Sequence, residues 1–374
     1  MRIGIDARLG HRQGVGRVIA EIIDGVSVLA PQHEYVVFVK AGKSDALIQR
    51  LKVRENIRWI EVSGIPFRLR EHVEMIRSLR REALDLYHVT YDFGTPLHLP
   101  CKMILTVHDA WFERETFFRS DWTRRYFQAM TRRGLKRAGR VVAVSHFVRE
   151  KILHHCPWMR KDEGKIRVVH NGVGEEFSPA SVRPAPLWET WGVDRYILYL
   201  GVLAKNKNIF RLLEAYAELV RRQPQSPPLV LGGKREPSLA DPIPVAQRLG
   251  IGQRVHFLGY VPQEALPDLY RGAELFVLPS LHEGFGIPVL EAMASGIPVV
   301  ASRISAIPEV AAEAAVLVDP TRPEEIARGM ERVLLDSRLR EGLVARGIER
   351  ARHFSWKKGA QQVLSLYREL HEED

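Results

Sequence analysis

Residues 281–300 read LHEGFGIPVLEAMASGIPVV, an apolar stretch punctuated by Glu283, Gly284, Gly286 and Glu291. The apolar run before it, residues 274–280, has the length and character of a buried strand. Two glycines then mark a turn. Pro288 suits the first turn of a helix, where its missing N–H costs nothing. That helix would carry Glu291 and stop near Gly296, and residues 298–302 would form the next strand. The unit is strand, loop, helix, strand. Loop amides and a helix N-terminus together make a site for an anion. Carboxylates accept hydrogen bonds from hydroxyl groups. A nucleotide-sugar presents both phosphate and hydroxyls.

The rest of the chain agrees with an α/β protein of two domains. Its 374 residues exceed one domain of ordinary size. Hydrophobic residues make up 45% and charged residues 27%, a composition with real cores. No apolar run approaches the roughly 18 residues of a membrane span, and the start enters a strand pattern without a signal peptide. Cys101 and Cys156 are the only cysteines, too few for a disulfide framework or a zinc cluster. The net charge of +10 is unevenly spread. Residues 1–200 hold 33 Lys and Arg against 23 Asp and Glu, and residues 201–374 hold 22 against 22. The basicity belongs to the N-terminal half, which argues against a nucleic-acid coat.

Residues 2–7 read as a strand, followed by a loop with Gly14 and Gly16 and a helix from about 18 to 29. The third glycine of a dinucleotide fingerprint would fall at Ile19, and the second strand, 35–39, ends in Lys40 where an acid would meet the ribose. Nicotinamide binding is therefore not expected, and a tight turn alone would also account for the two glycines. Strands at 57–62, 86–90, 103–107, 140–144 and 166–170 alternate with helices. His108 and Asp109 follow the strand at 103–107, at the strand end where ligands bind in parallel sheets. Between 119 and 140 stand eight basic residues, Arg119, Arg124, Arg125, Arg132, Arg133, Lys136, Arg137 and Arg140, with Asp121 the sole acid. On a helical wheel Tyr126, Phe127 and Met130 share one arc, and Arg125, Arg132, Arg133, Lys136 and Arg140 another. This is either a solvated charged face or a contact for an anionic surface. Residues 178–186 are rich in Pro, Ser and Ala and read as a linker.

The second half repeats the alternation, with strands at 196–200, 229–233, 255–259, 274–280, 298–302 and 315–319. Lys205, Asn206 and Lys207 lie between the first of these and a helix at 208–222. Lysines there can neutralise a diphosphate. Helices follow at 323–335 and 337–353, and a last one after Trp356.

Glu283-x7-Glu291 in its Gly-Phe-Gly setting resembles the signature of the retaining glycosyltransferases of family 4 (GT4). The likeness extends along nearly the whole chain, through Gly14 and Gly16, the Thr-Val-His-Asp segment ending at Asp109, Asn171-Gly-Val173 and Lys207. It implies the GT-B fold, two Rossmann-like α/β domains facing a central cleft. The domains would be 1–182 for the acceptor and 183–355 for the nucleotide-sugar, with the helix 356–374 packing back on the first. The resemblance implies that Glu291 binds the ribose. Glu283, with the amides of Gly284, Phe285 and Gly286, holds the donor sugar. Lys207 stabilises charge on the diphosphate, and His108 faces the sugar from the other domain. Gly14 and Gly16 line the site. Asn206 stands where the family usually has Arg, a place that Lys205 would fill.

No Asp-x-Asp occurs, so neither a metal site nor a cofactor is expected. The implied activity is transfer of a hexose, with retention, to a glycan or lipid-linked acceptor in surface-polysaccharide synthesis. GDP-mannose is the favoured donor because Ile-Gly-Ile-Asp-Ala-Arg8 resembles bacterial mannosyltransferases; UDP-hexoses stay open. The expected place is the cytoplasm, peripherally bound to an anionic membrane surface, with no nucleic-acid partner. A nucleotide-sugar epimerase and a non-catalytic polyanion-binding protein are the alternatives.

Overall fold

The computed structural model describes residues 1–10, 14–43, 45–63, 69–109, 121–179 and 195–373. Arg119 and most of the expected linker lie outside them. Two compact units are present, one of residues 1–172 and 356–374, the other of residues 173–355. The C-terminal helix, Trp356–Glu372, thus belongs to the first unit.

The first unit is a seven-stranded sheet: β1 (Arg2–Asp6), β2 (Glu34–Lys40), β3 (Ile57–Val62), β4 (Leu86–Val89), β5 (Lys102–Val107), β6 (Arg140–Ala143) and β7 (Ile166–Val168). Its order is β3-β2-β1-β4-β5-β6-β7 and every pairing is parallel. The second unit holds β8 (Ile197–Leu200), β9 (Leu229–Gly232), β10 (Val255–Gly259), β11 (Leu275–Leu278), β12 (Val299–Ser302) and β13 (Val316–Val318). Its order is β10-β9-β8-β11-β12-β13, again all parallel. Parallel sheets are covered on both faces, so strands such as β8 and β11 are buried at every residue and read as unbroken apolar runs. In each sheet the winding reverses once, between β1 and β4 and between β8 and β11. Ligands of doubly wound sheets bind at the strand ends beside that reversal.

The C-terminal helix is held by a buried histidine. His88 on β4 sits between the Tyr367 hydroxyl and Thr106 Oγ1, each at 2.7 Å from a ring nitrogen. Burial pushes its pKa down to about 3, helped by nearby His108. An unfolded histidine titrates near 6.5, so the folded state loses stability as pH falls from about 6.5 towards 3. His108, lowered to about 4, adds to the same trend. Asp92, raised by burial to about 7, opposes it: between about 4, where an unfolded carboxyl titrates, and about 7 its ionisation costs stability as pH rises, so that share is regained as pH falls. The melting temperature should therefore drop between pH 6.5 and pH 4, and drop less in a His88→Gln variant. Equal slopes for the two proteins would remove His88 from the acid response.

Among the described residues the basic helix spans Asp121–Arg137 and so ends before the expected 140. Met130, Thr131, Gly134 and Leu135 are its buried residues. Arg140 is not on it. It opens β6 and pairs with Glu369 at 3.4 Å and with Glu373, both near the C-terminus. Sequence contiguity had grouped it with the wrong element. Among the described residues no helix is long and apolar enough to cross a membrane.

Candidate functional site

The loops after β8 and β11 flank the reversal of the second sheet, and they carry the two charged groups singled out above. Beyond β8 the chain makes a short 3-10 turn, Lys205–Lys207, and then reverses at Asn208 with φ 63°. Asparagine tolerates this left-handed conformation better than most residues. Its buried side-chain amide donates to the carbonyls of Pro279 (3.0 Å) and Pro320 (2.6 Å), which fixes the turn against the loops after β11 and β13. Helix Ile209–Arg222 then buries Ile209, Leu212, Leu213, Tyr216 and Leu219, an i, i+3, i+4 stripe.

Lys207 Nζ lies 2.6 Å from Glu283 Oε1, in an ion pair with side chains 22% and 11% exposed. The two residues stand 76 positions apart in the chain. A charge-assisted bond at this depth is screened less than a surface pair. Asn206 binds the same loop from the other side: its carbonyl accepts from Leu281 N at 2.8 Å and its side-chain amide donates to His282 O at 3.4 Å. The residue that replaces the family's usual Arg thus joins the two loops. Lys205 is exposed on the same turn.

The loop of Glu283 is held from β12. Ser305, at φ 60°, accepts from Glu283 N at 3.1 Å, and Ala306 N donates to Glu283 O at 3.3 Å. Gly286, at φ 106°, leads into helix Ile287–Ala294, and Pro288 lies in its first turn. A Cβ at Gly286 would come within 2.6 Å of Ile307 Cδ1 and demand a conformation that side chains disfavour. The Phe285 ring is buried edge-on against Phe354, 5.8 Å between centroids, so this residue offers its backbone to the site. Glu291 is only 4% exposed. Tyr270 donates to its Oε2 at 2.8 Å.

The remaining candidates lie in the first unit, the glycines at a helix start and His108 at a strand end. Gly14, at φ 74°, immediately precedes helix Val15–Leu29, which begins earlier than its apolar pattern suggested. A Cβ on Gly16 would fall 2.4 Å from Gly10 O. His108 follows β5 and donates from Nε2 to Thr90 O at 2.7 Å. That fixes the tautomer, leaves Nδ1 as the acceptor, and, with the burial that lowers its pKa to about 4, keeps the ring neutral at physiological pH.

Sequence reasoning missed a buried ion pair at the end of β1. Arg8 Nε donates to Asp6 Oδ1 at 2.9 Å and a terminal nitrogen to Oδ2 at 2.6 Å; the residues are 2% and 0% exposed. Removing one partner of such a pair costs about 3–5 kcal/mol. The available signal was Asp-x-Arg at the end of a strand, where alternate residues share a face.

Comparison with known proteins supplies the class. Residues 191–350 match the family model "Glycosyl transferases group 1", and residues 12–177 match "Glycosyltransferase Family 4". O-antigen chain mannosyltransferase B of Escherichia coli is 31% identical over 372 residues, covering 96% of each chain. Among solved structures, sucrose-phosphate synthase from Thermosynechococcus elongatus superposes with a TM-score of 0.80 at 22% identity, covering all of both chains. HepE of Anabaena, in complex with UDP and glucose, gives 0.80 at 18% identity, with 99% of this chain and 100% of that one covered. The fold is GT-B, and the protein is a glycosyltransferase. It belongs to glycosyltransferase family 4.

Proposed function

We propose that this enzyme moves a mannosyl group from GDP-mannose, with retention and without a metal, to a glycan or lipid-linked acceptor in surface-polysaccharide synthesis. The observation that carries this reading is the Lys207–Glu283 ion pair at the reversal point of the second sheet, with Glu291 buried on the helix that follows. The likeness to the O-antigen chain mannosyltransferase supports the choice of sugar and acceptor class.

In this reading the second unit binds the nucleotide-sugar and the first the acceptor. Glu291 accepts from the ribose hydroxyls. The amides of Gly284, Phe285 and Gly286, at a helix N-terminus, bind phosphate and sugar oxygens. Glu283 holds the sugar, with neutral His108 accepting a hydroxyl through Nδ1. Lys207, aided by Lys205 and oriented by Asn206, offsets the negative charge that grows on the diphosphate. The bond from the sugar C1 to the phosphate oxygen breaks as the acceptor oxygen bonds to C1 on the same face. The acceptor's proton passes to the departing diphosphate. Gly14, at the turn into helix Val15–Leu29, allows close approach to the ligand, and Gly16, expected on the loop but lying in the first turn of that helix, lets it pack on Gly10. The exposed cations of helix Asp121–Arg137 hold the enzyme at the cytoplasmic face of an anionic membrane.

A thermal-shift panel of GDP-, UDP- and ADP-sugars identifies the donor, because a ligand stabilises in proportion to its affinity. GDP-mannose is expected to give the largest shift, and transfer should persist in EDTA. Glu291→Ala should weaken nucleotide binding by about 10–100-fold, the value of a hydrogen bond to a charged group. A larger shift with a UDP-hexose would change the donor. Sugar epimerisation without acceptor would change the reaction, and unaltered affinity in Glu291→Ala would end the ribose role.

A further inference from the structure

Tyr270 lies on helix Leu266–Gly272, and the transfer chemistry above makes no use of it. Its ring is fully buried between Phe177 and Phe276, at centroid distances of 5.7 and 5.4 Å. Its hydroxyl shares one proton between Glu291 Oε2 at 2.8 Å and, more weakly, Pro288 O at 3.2 Å. The same group therefore touches the carboxylate and the first turn of helix Ile287–Ala294. The neighbours of Glu291 on that helix, Val289, Leu290, Ala292 and Met293, are buried and apolar.

We propose that Tyr270 is a positioning residue that locks the Glu291 carboxylate in the orientation needed to accept from a nucleotide's ribose hydroxyls. The proposal rests on the reading of Glu291 as the ribose acceptor. The two carboxylates of the signature are held differently, and the difference has a chemical sense. Glu283 is paired with a cation, Lys207. For Glu291 the donor from Tyr270 is a neutral phenol. A phenol fixes one carboxylate oxygen through a single donor and brings no charge of its own, and a carboxylate has acceptor sites beyond the one the phenol uses. The phenol is itself immobilised by two aromatic rings, so little side-chain entropy is lost when the contact forms. A carboxylate has three side-chain torsions to fix. Without the donor its orientation must be ordered anew each time a nucleotide binds, which weakens binding.

The test is titration calorimetry with GDP and 2′,3′-dideoxy-GDP, or the UDP pair if UDP binds more tightly, on wild type, Tyr270→Phe, Glu291→Ala and the double variant. Phenylalanine keeps the ring packing and removes only the hydroxyl. Tyr270→Phe is expected to lose about 3–10-fold in affinity for the ribose form and almost nothing for the dideoxy form, so discrimination between them shrinks. A defect in packing alone would weaken both equally. In the Glu291→Ala background the tyrosine substitution should have no further effect. Three results would overturn the proposal. If Tyr270→Phe keeps full discrimination while Glu291→Ala abolishes it, the positioning role fails and the ribose reading survives. If the two losses add, Tyr270 acts through another group. If Glu291→Ala itself discriminates like wild type, the ribose reading falls and the proposal with it. Should Tyr270→Phe not fold, Glu291→Gln takes its place. The phenol then holds the amide oxygen and turns NH2 towards the ribose, so the charged acceptor is lost and discrimination is expected to shrink to that of a neutral hydrogen bond, and full discrimination as in wild type would overturn the lock.

Discussion

Lys207→Ala is expected to lower kcat at saturating donor by about 10²–10³, the usual cost of removing one preorganised group that stabilises transition-state charge. The donor's Kd should rise less. Charge on the diphosphate is greater in the transition state than in the bound donor, and only the difference accelerates the reaction. The structure adds a second consequence. Lys207 is the ion-pair partner of Glu283, which is 9% exposed, so the alanine variant leaves a buried carboxylate without this cation. That loss should appear as a lower melting temperature, and the added repulsion should weaken diphosphate binding somewhat. Lys207→Arg keeps the charge, so its melting temperature should stay near wild type while kcat remains reduced, because a planar guanidinium does not reproduce the geometry of the ammonium group. Both variants need kcat and Kd measured on the same folded preparation. Turnover by Lys207→Ala within about threefold of wild type at saturating donor would remove Lys207 from the chemistry.

The site was legible in the sequence wherever a local rule marked it. Gly284, Gly286 and Pro288 announced a turn into a helix, and apolar runs on both sides announced two strands, so Glu283 and Glu291 could be placed before any coordinates. The supports of the site were not legible. Asn208 reaches carbonyls 71 and 112 positions away, and Ser305 holds an amide 22 positions back. Such contacts leave no periodicity. The short helices Asp45–Leu51, Ile243–Arg248 and Ile307–Ala311 were not anticipated either, because two turns or fewer give too little pattern. Arg140 shows the opposite failure. A run of like charges suggested one helix, but the counterions of its last member sit in the C-terminal helix region, 229 and 233 positions on.

That correction changes the size of the membrane effect. Arg140 is neutralised by Glu369 and Glu373, and Arg124 pairs with Asp121 at 2.9 Å. Arg125, Arg132, Arg133, Lys136 and Arg137 remain exposed on helix Asp121–Arg137. Arg133 and Arg137 donate to the carbonyls of Leu97 and Leu99, which fixes their direction without cancelling their charge. Trp122, 68% exposed and stacked on Tyr126 at 5.8 Å, begins the same helix. Indole rings favour the headgroup level of a bilayer. Each cation near an anionic surface contributes about 1 kcal/mol. If three of the five reach the headgroups, binding gains about 3 kcal/mol, or a factor of about a hundred. The measurement is co-sedimentation with vesicles of graded anionic content. Arg125, Arg132, Arg133 and Lys136 all changed to Gln should bind about a hundredfold more weakly than wild type. Binding of wild type should fade as salt rises, since the attraction is screened within about 10 Å at 0.1 M. Trp122→Ala should weaken binding at every salt concentration, because its share is apolar. Equal binding of wild type and the quadruple variant, or no dependence on lipid charge, would return the helix to a solvated face.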